Sequence, residues 1–376
     1  MSTARVDPDR ILATFYDLVR IDSPSGEEGK LREYLKARLE DMGLATWVDA
    51  KGNLLGTLPG RGEPFLLNAH MDSVQPCRGI KPAMRDGVIY SDGSTILGAD
   101  DRGGIAVILE SLACLAPGGS GGAQAPLVSP GRPAHRAVEL AFTVQEEVGL
   151  LGAKALDLSL LRAREGIVLD SHGPVGGIIV ATPYHNHLNA AIIGKAAHAG
   201  VAPENGLSAI AVAAEAIARM NLGRIDPETT ANIGVIHGGT ARNIVPERVE
   251  LQGEARSRDE AKLERQTEQM VDALTQAAAR AGAKIELDVE RAYLGYELRP
   301  DDTLVQKVTG AMKRLGIEPR LEATGGGSDA NIFHEHGIKV ANLSLGYEDV
   351  HTTNEHVALS ELVKCAQVLV EVLCVE

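Results

Sequence analysis

Apolar residues first recur at helical spacing: Ile11, Leu12, Phe15, Leu18 and Val19 alternate with charged neighbours, which predicts an amphipathic helix rather than a signal peptide. A second helix is predicted from the face Leu31, Tyr34, Leu35, Leu39 and Met42, with Ser25 and Glu28 spaced as a capping box and Gly43 as its stop. From there to about residue 180, short apolar runs alternate with helical stretches. The clearest runs, PFLLNAHMD, VELAFTVQEE and GIVLDSH, each end in acidic or histidine residues. This alternation predicts an α/β domain built on a mixed, mostly parallel sheet with helices on both faces.

Between about 183 and 292 the pattern changes. A strand (HLNAAIIG) is followed by a helix from Gly206 to Met220, a strand (ANIGVIH) and an alternating strand (VELQGEARS). A helix from Arg258 to Arg280, with Gly282 as its stop, and a strand (KIELDVE) complete the segment. That β-α-β-β-α-β order is the ferredoxin-like arrangement of a small α+β sandwich. The remainder returns to the first pattern, with a helix around Leu304 to Leu315, the loop ATGGGSDA, a strand VANLSLGY and a closing helix from Ser360 to Leu373. The expected organisation is a domain of residues 1–182 and 293–376 into which a second domain, 183–292, is inserted. Residues 116–136 are rich in Gly, Pro, Ala and Ser and are expected to form a mobile surface loop.

Composition narrows the function. The 37 Lys and Arg against 51 Asp and Glu give a net charge of −14 with no basic cluster, which argues against a nucleic-acid partner. No apolar stretch reaches the roughly 20 residues of a membrane span. Cys77, Cys114, Cys365 and Cys374 stand far apart without CxxC spacing, as expected of a reducing compartment, so a cytoplasmic protein is expected. Any metal is then left to oxygen and imidazole ligands.

The polar clusters are weak one by one. His70-Met71-Asp72 is an HxD triplet, and the pairs Asp100-Asp101 and Glu146-Glu147 are also what solvated loops and helix starts contain. Their shared position changes the reading. His70, Asp100, Glu146, Glu147, Asp170 and His351 each follow an apolar run, four of these runs reading as strands, which puts them at or just beyond carboxyl ends. In an open α/β sheet those ends form the ligand crevice. Two histidines and several carboxylates without a thiolate suit zinc, or manganese or cobalt. A two-metal hydrolase needs one bridging carboxylate, further ligands for each ion, an unligated acid to shuttle a proton, and an outer carboxylate to orient an imidazole.

The motifs NAHMDSV, LGADDRGG, TVQEEVGLLGA, VLDSHG, GKAAHAGVAPENG, GGTARNIVPE, GGGSDANIF and VHTTNEHV run in that order over nearly the whole chain. In this order they resemble the two-domain di-zinc exopeptidases and deacylases that include tripeptidase T, carboxypeptidase G, acetylornithine deacetylase and aminoacylase. The ADD and HTTNEHV wording is most similar to the tripeptidase T branch. The resemblance implies a zinc-dependent aminopeptidase of short peptides, with a carboxypeptidase or N-acyl amino acid deacylase as the alternative, and two Zn2+ per subunit that Co2+ or Mn2+ can replace. It implies that His70, Asp100 and Asp170 bind one ion and Asp100, Glu147 and His351 the other, with Asp100 as the bridge. It also implies that Asp72 orients His70, that Glu146 is general base and acid, and that the Asp100-Asp101 peptide is cis. The inserted domain becomes a lid and the expected homodimer contact. The resemblance further implies that its His198 stabilises the oxyanion, that Asn243 and Arg256 contact the substrate, and that Gly327 and Ser328 line the substrate site. Arg102 stands where many relatives have Lys.

Overall fold

The computed structural model describes residues 6–115 and 134–375. Most of the predicted 116–136 loop lies outside these residues. Its last residues are held in place, since His135 bridges Cys374 and Arg136 starts a strand.

The chain divides into two compact units. The first comprises residues up to Val180, Leu298–Ala323 and Ser328 onward, and the second Ala181–Glu297 with Thr324–Gly327. In the first unit, helix Pro8–Val19 starts on Asp7, whose side chain accepts hydrogen bonds from the Asp9 and Arg10 amides, with Pro8 at the first turn. It buries Ile11, Phe15, Leu18 and Val19. Helix Gly29–Asp41 buries Leu31, Leu35 and Leu39, four residues apart on one face. The predicted capping box is not formed. Glu28 sits at the cap without bonding it, its carboxylate instead accepting from the Gly26 and Gln145 amides, while the Ser25 hydroxyl donates to Asp72.

The main sheet has eight strands in the order Ala45–Val48, Leu54–Leu58, Arg136–Thr143, Arg61–His70, Glu165–Ser171, Lys339–Ser344, Gly177–Ala181 and Arg320–Ala323. Its four central strands run parallel, and Leu54–Leu58 and Gly177–Ala181 pair antiparallel on either side. Phe65, Leu66, Leu67, Asn68 and Ala69 are all buried, the unbroken burial of a strand covered on both faces. Helices Ala99–Leu115 and Leu359–Leu373 pack against each other. A smaller sheet orders Tyr347–Glu348, His356–Ala358, Val88–Tyr90 and Ala83–Arg85. His356 lies in one of these strands and stacks on Tyr90 at 5.2 Å between ring centroids.

The second unit is one antiparallel sheet in the order Gly223–Arg224, Thr229–Gly238, Arg248–Ser257, Tyr184–Ile193 and Lys284–Tyr293. Helices Ala209–Ala218 and Glu260–Ala281 lie on it over a core that includes Leu188, Ile192, Ala213, Leu263, Met270 and Leu274. The first of these helices starts later than the predicted Gly206 because Ser208 caps it through the Ala211 amide. Gly282, at φ 75°, ends the second. No helix among the described residues is long and apolar enough to cross a membrane.

Candidate metal centre

Three neighbouring parallel strands deliver side chains to one end of the main sheet. His70 is the last residue of Arg61–His70 and lies in register with Thr143, the last of Arg136–Thr143, just ahead of Glu146 and Glu147. Asp170 is the penultimate residue of Glu165–Ser171. Asp100 follows no strand. It opens helix Ala99–Leu115 with non-helical backbone, φ −83° and ψ 103°, and its peptide to Asp101 is cis. His351 lies on the loop between Tyr347–Glu348 and His356–Ala358 at φ 63°, a left-handed conformation uncommon for histidine.

The side chains of His70, Asp100, Glu147, Asp170 and His351 meet. Oδ1 of Asp100 is 3.0 Å from Nε2 of His70, while its Oδ2 is 3.3 Å from Nε2 of His351. His351 Nε2 is also 3.1 Å from Glu147, and His70 Nε2 is 3.9 Å from Asp170. One carboxylate thus turns its two oxygens toward two imidazoles, each accompanied by a further carboxylate. Ligand atoms of His70, Asp100 and Glu147 all lie within 4.8 Å of one another. Glu147 Oε1 is buried with no hydrogen-bond partner, an orphaned acceptor whose cost a cation would remove. These donors fit a pair of divalent ions.

Electrostatics explain why the arrangement asks for cations. Burial pushes Asp170 well above the ordinary carboxylate range, with the negative charge of Asp100 adding to it. Glu146 is raised well above its ordinary value by burial and by the charge of Asp170. Its carboxyl accepts no hydrogen bond from the described residues, unlike that of Asp72. His351 is pushed up to about 10 by its hydrogen bonds to Asp100 and Glu147. Burial would lower His70, but the hydrogen bonds to Asp100 and Asp72 outweigh it and hold the imidazole well above its ordinary value. Asp100 is lowered because the same two imidazoles outweigh its burial.

A surrounding network fixes these groups. Fully buried Asp72 accepts from the Glu146 amide at 3.0 Å, the Glu147 amide at 3.3 Å and the Ser25 hydroxyl at 2.6 Å. One of its carboxylate oxygens is 3.4 Å from Nδ1 of His70, and its backbone carbonyl is 3.1 Å from the same nitrogen. Arg102, 1% exposed, donates to the Asp72 carbonyl and the Ser73 hydroxyl, each at 2.8 Å. Asn342 accepts from the Asp170 amide and donates to its carbonyl. Asp329 accepts from Thr143 and Asn68, and burial raises it to about 6. Glu355 accepts from the backbone amides of Leu97, Gly98 and Asp100. Sequence reasoning gave Ser25, Asn342, Asp329 and Glu355 no role at this centre. Asp329 and Glu355 lie inside the GGGSDANIF and VHTTNEHV motifs, the one signal that could have drawn attention to them.

The second unit carries His198, Asn243 and Arg256. His198 is exposed, accepts from the Gly200 amide and bridges Ile244. Asn243 is exposed, its carbonyl accepting from the Ala199 amide. Arg256 donates to Glu254 at 2.9 Å and to the Tyr293 hydroxyl at 3.4 Å, and Glu254 also contacts His185 at 3.1 Å. A Cβ on Gly327 would fall 2.3 Å from the Tyr293 ring, which accounts for glycine there. In the first unit, Ser328 is the N-cap of helix Asp329–Glu335 and forms a capping box with Asn331.

Two family models share the chain, Peptidase family M28 over residues 53–205 and the M20 peptidase dimerisation domain over 185–282. The chain is 42% identical to the uncharacterized protein YqjE of Bacillus subtilis (strain 168), with 98% of each chain covered. It is 41% identical to the aminopeptidase PepT of Bacillus cereus ATCC 10987, at a TM-score of 0.85 with 98% of both chains covered. A tripeptidase of Staphylococcus aureus subsp. aureus Mu50 matches at 37% identity and a TM-score of 0.89, again over 98% of both chains. Full-length likeness to these two solved peptidases, joined to the M20 match in the second unit, shows that the chain belongs to the tripeptidase T branch of the M20 metallopeptidases.

Proposed function

We propose that this protein is a di-zinc aminopeptidase that removes the N-terminal residue of short peptides, tripeptides foremost. The observation that carries the reading is the Asp100 carboxylate, set between His70 and His351 with Asp170 and Glu147 beside them. Similarity to PepT and to the S. aureus tripeptidase supplies the substrate class. His70, Asp100 and Asp170 would hold one ion, and Asp100, Glu147 and His351 the other. Bound there, the two ions would lower the pKa of a shared water toward neutrality and polarise the scissile carbonyl.

The chain's own groups account for the proton. Glu146, half-buried and with no hydrogen bond to its carboxyl among the described residues, takes the proton from the attacking water on its carboxylate and returns it to the departing amine. Asp72 holds the Glu146 and Glu147 amides and the His70 ring, so base and ligands are oriented from one carboxylate. His198, Asn243 and Arg256 are proposed to contact substrate rather than metal. The dimerisation-domain match and the exposed Val235 and Ile236 on strand Thr229–Gly238 support pairing of two copies through the second unit.

A panel of di- and tripeptides with free or blocked termini, together with N-acyl amino acids, tests the reading. Release of the first residue from tripeptides that requires a free amino terminus is expected. Cleavage confined to N-blocked substrates would replace it with a carboxypeptidase or deacylase.

A further inference from the structure

Glu355 is 1% exposed, yet nothing in the proposed chemistry uses its carboxylate. It is not idle. One oxygen accepts from the Leu97 amide at 2.9 Å and the Gly98 amide at 2.7 Å, and the other accepts from the Asp100 amide at 2.9 Å. Three backbone donors on one buried carboxylate fix the turn that presents Asp100, and Gly98 enters that turn at φ 72°. The same residue closes the His351 loop. Within that loop the Thr352 hydroxyl donates to the Asp349 carbonyl, the Asn354 amide to the Thr352 hydroxyl and the Glu355 amide to the Thr352 carbonyl, all internal bonds. Apart from the His351 imidazole, the Glu355 carboxylate is the side chain that ties this stretch to the Asp100 turn among the described residues.

We infer that Glu355 is a positioning residue that holds Asp100 and His351 in register, so that the half-site of Asp100, Glu147 and His351 depends on it more steeply than the half-site of His70, Asp100 and Asp170. The asymmetry follows from anchorage. His70 and Asp170 stand on central strands locked by neighbours on both sides, and Asp170 is held further by Asn342. His351 is half-exposed on a turn. The inference rests on the two-metal reading above.

The experiment is titration of metal-free protein with Mn2+ and Zn2+ by calorimetry, with bound metal counted by mass spectrometry, for wild type, Glu355→Gln, Glu355→Asp and His351→Ala. The Gln variant keeps the shape but turns an N–H group toward backbone N–H donors. It is expected to retain one ion at near wild-type affinity and to bind the second about 10- to 100-fold more weakly. Adding Glu355→Gln to His351→Ala should weaken binding little further, because both act on one half-site. The Asp variant keeps the charge on a shorter arm and should show the same asymmetry in smaller degree, which serves as the test if the Gln variant does not fold. Equal weakening of both ions, or wild-type affinity for both, would overturn the inference. Wild type that binds fewer than two ions would instead overturn the two-metal reading.

Discussion

Replacing Asp72 with Asn exchanges one carboxylate oxygen for an amide group at a fully buried position with four polar contacts. Two of these contacts are backbone N–H groups, from Glu146 at 3.0 Å and Glu147 at 3.3 Å, on different oxygens. Whichever way the amide turns, one of these donors loses its acceptor, a loss of about 1–3 kcal/mol for a buried group. The Ser25 hydroxyl can rotate and accept instead, so it adds little. Removing the carboxylate behind a metal-binding imidazole costs about 10- to 100-fold in metal affinity. Here the Asp72 carbonyl, 3.1 Å from His70 Nδ1, survives the substitution and keeps part of the ring's orientation, which places the loss near the tenfold end. The assay is competition for metal against a chelator of known affinity, with a denaturation curve of the metal-free protein alongside. Weaker metal binding together with a stability loss of about 1–3 kcal/mol is expected. Wild-type affinity, with kcat within twofold, would refute the reasoning.

Further outcomes follow from other positions. Glu146→Gln should lower kcat by about 100- to 10,000-fold while metal stoichiometry stays at the wild-type value, and near-normal turnover would remove Glu146 as the proton shuttle. Gly104→Ala would place a Cβ 2.3 Å from the Asp101 carboxylate and 2.5 Å from the Leu169 carbonyl, so a loss of about 1–3 kcal/mol is expected in urea unfolding, and an unchanged midpoint would show that the helix shifts without cost. Burial lowers His334 to about 4, its Nε2 lying 2.8 Å from the Val340 carbonyl. Unfolded histidine binds a proton near pH 6.5 that the folded ring refuses, so this residue subtracts stability as pH falls from about 6.5 toward 4. Its imidazole resonances should stay flat between pH 8 and 5.5, and a midpoint near 6.5 would contradict the burial argument.

What could be read from the sequence, and what could not, has a physical division. His70, Glu146 and Asp170 stand at or just beyond the ends of predominantly apolar runs, and a buried parallel strand has to look like such a run, so their common placement was visible in the chain. The ferredoxin-like order of the inserted segment was visible for a similar reason, because alternation and helical spacing differ in period. Asp100 and His351 sit on turns with no periodic signature; each follows a short apolar run, which placed them among the candidates, and the motif resemblance supplied their roles as bridge and ligand. Glu355 and Asn342 were unreadable as members of the centre. Glu355 bonds backbone amides more than 250 positions away, and Asn342 bonds the main chain of Asp170, 172 positions away. Contacts to a backbone amide leave no mark on the residue that owns the amide. The capping-box expectation failed because Ser25 and Glu28 both turn their side chains toward the site end of the sheet, where Asp72 and the Gln145 amide offer partners.

The most direct test of the two-metal centre is anomalous diffraction from crystals grown with Zn2+ or Mn2+, recorded on either side of the metal absorption edge. Two peaks about 3.5–4 Å apart are expected, with the Asp100 carboxylate between them, one beside His70 and Asp170 and the other beside Glu147 and His351. A single peak, or peaks away from these five side chains, would contradict the two-metal centre.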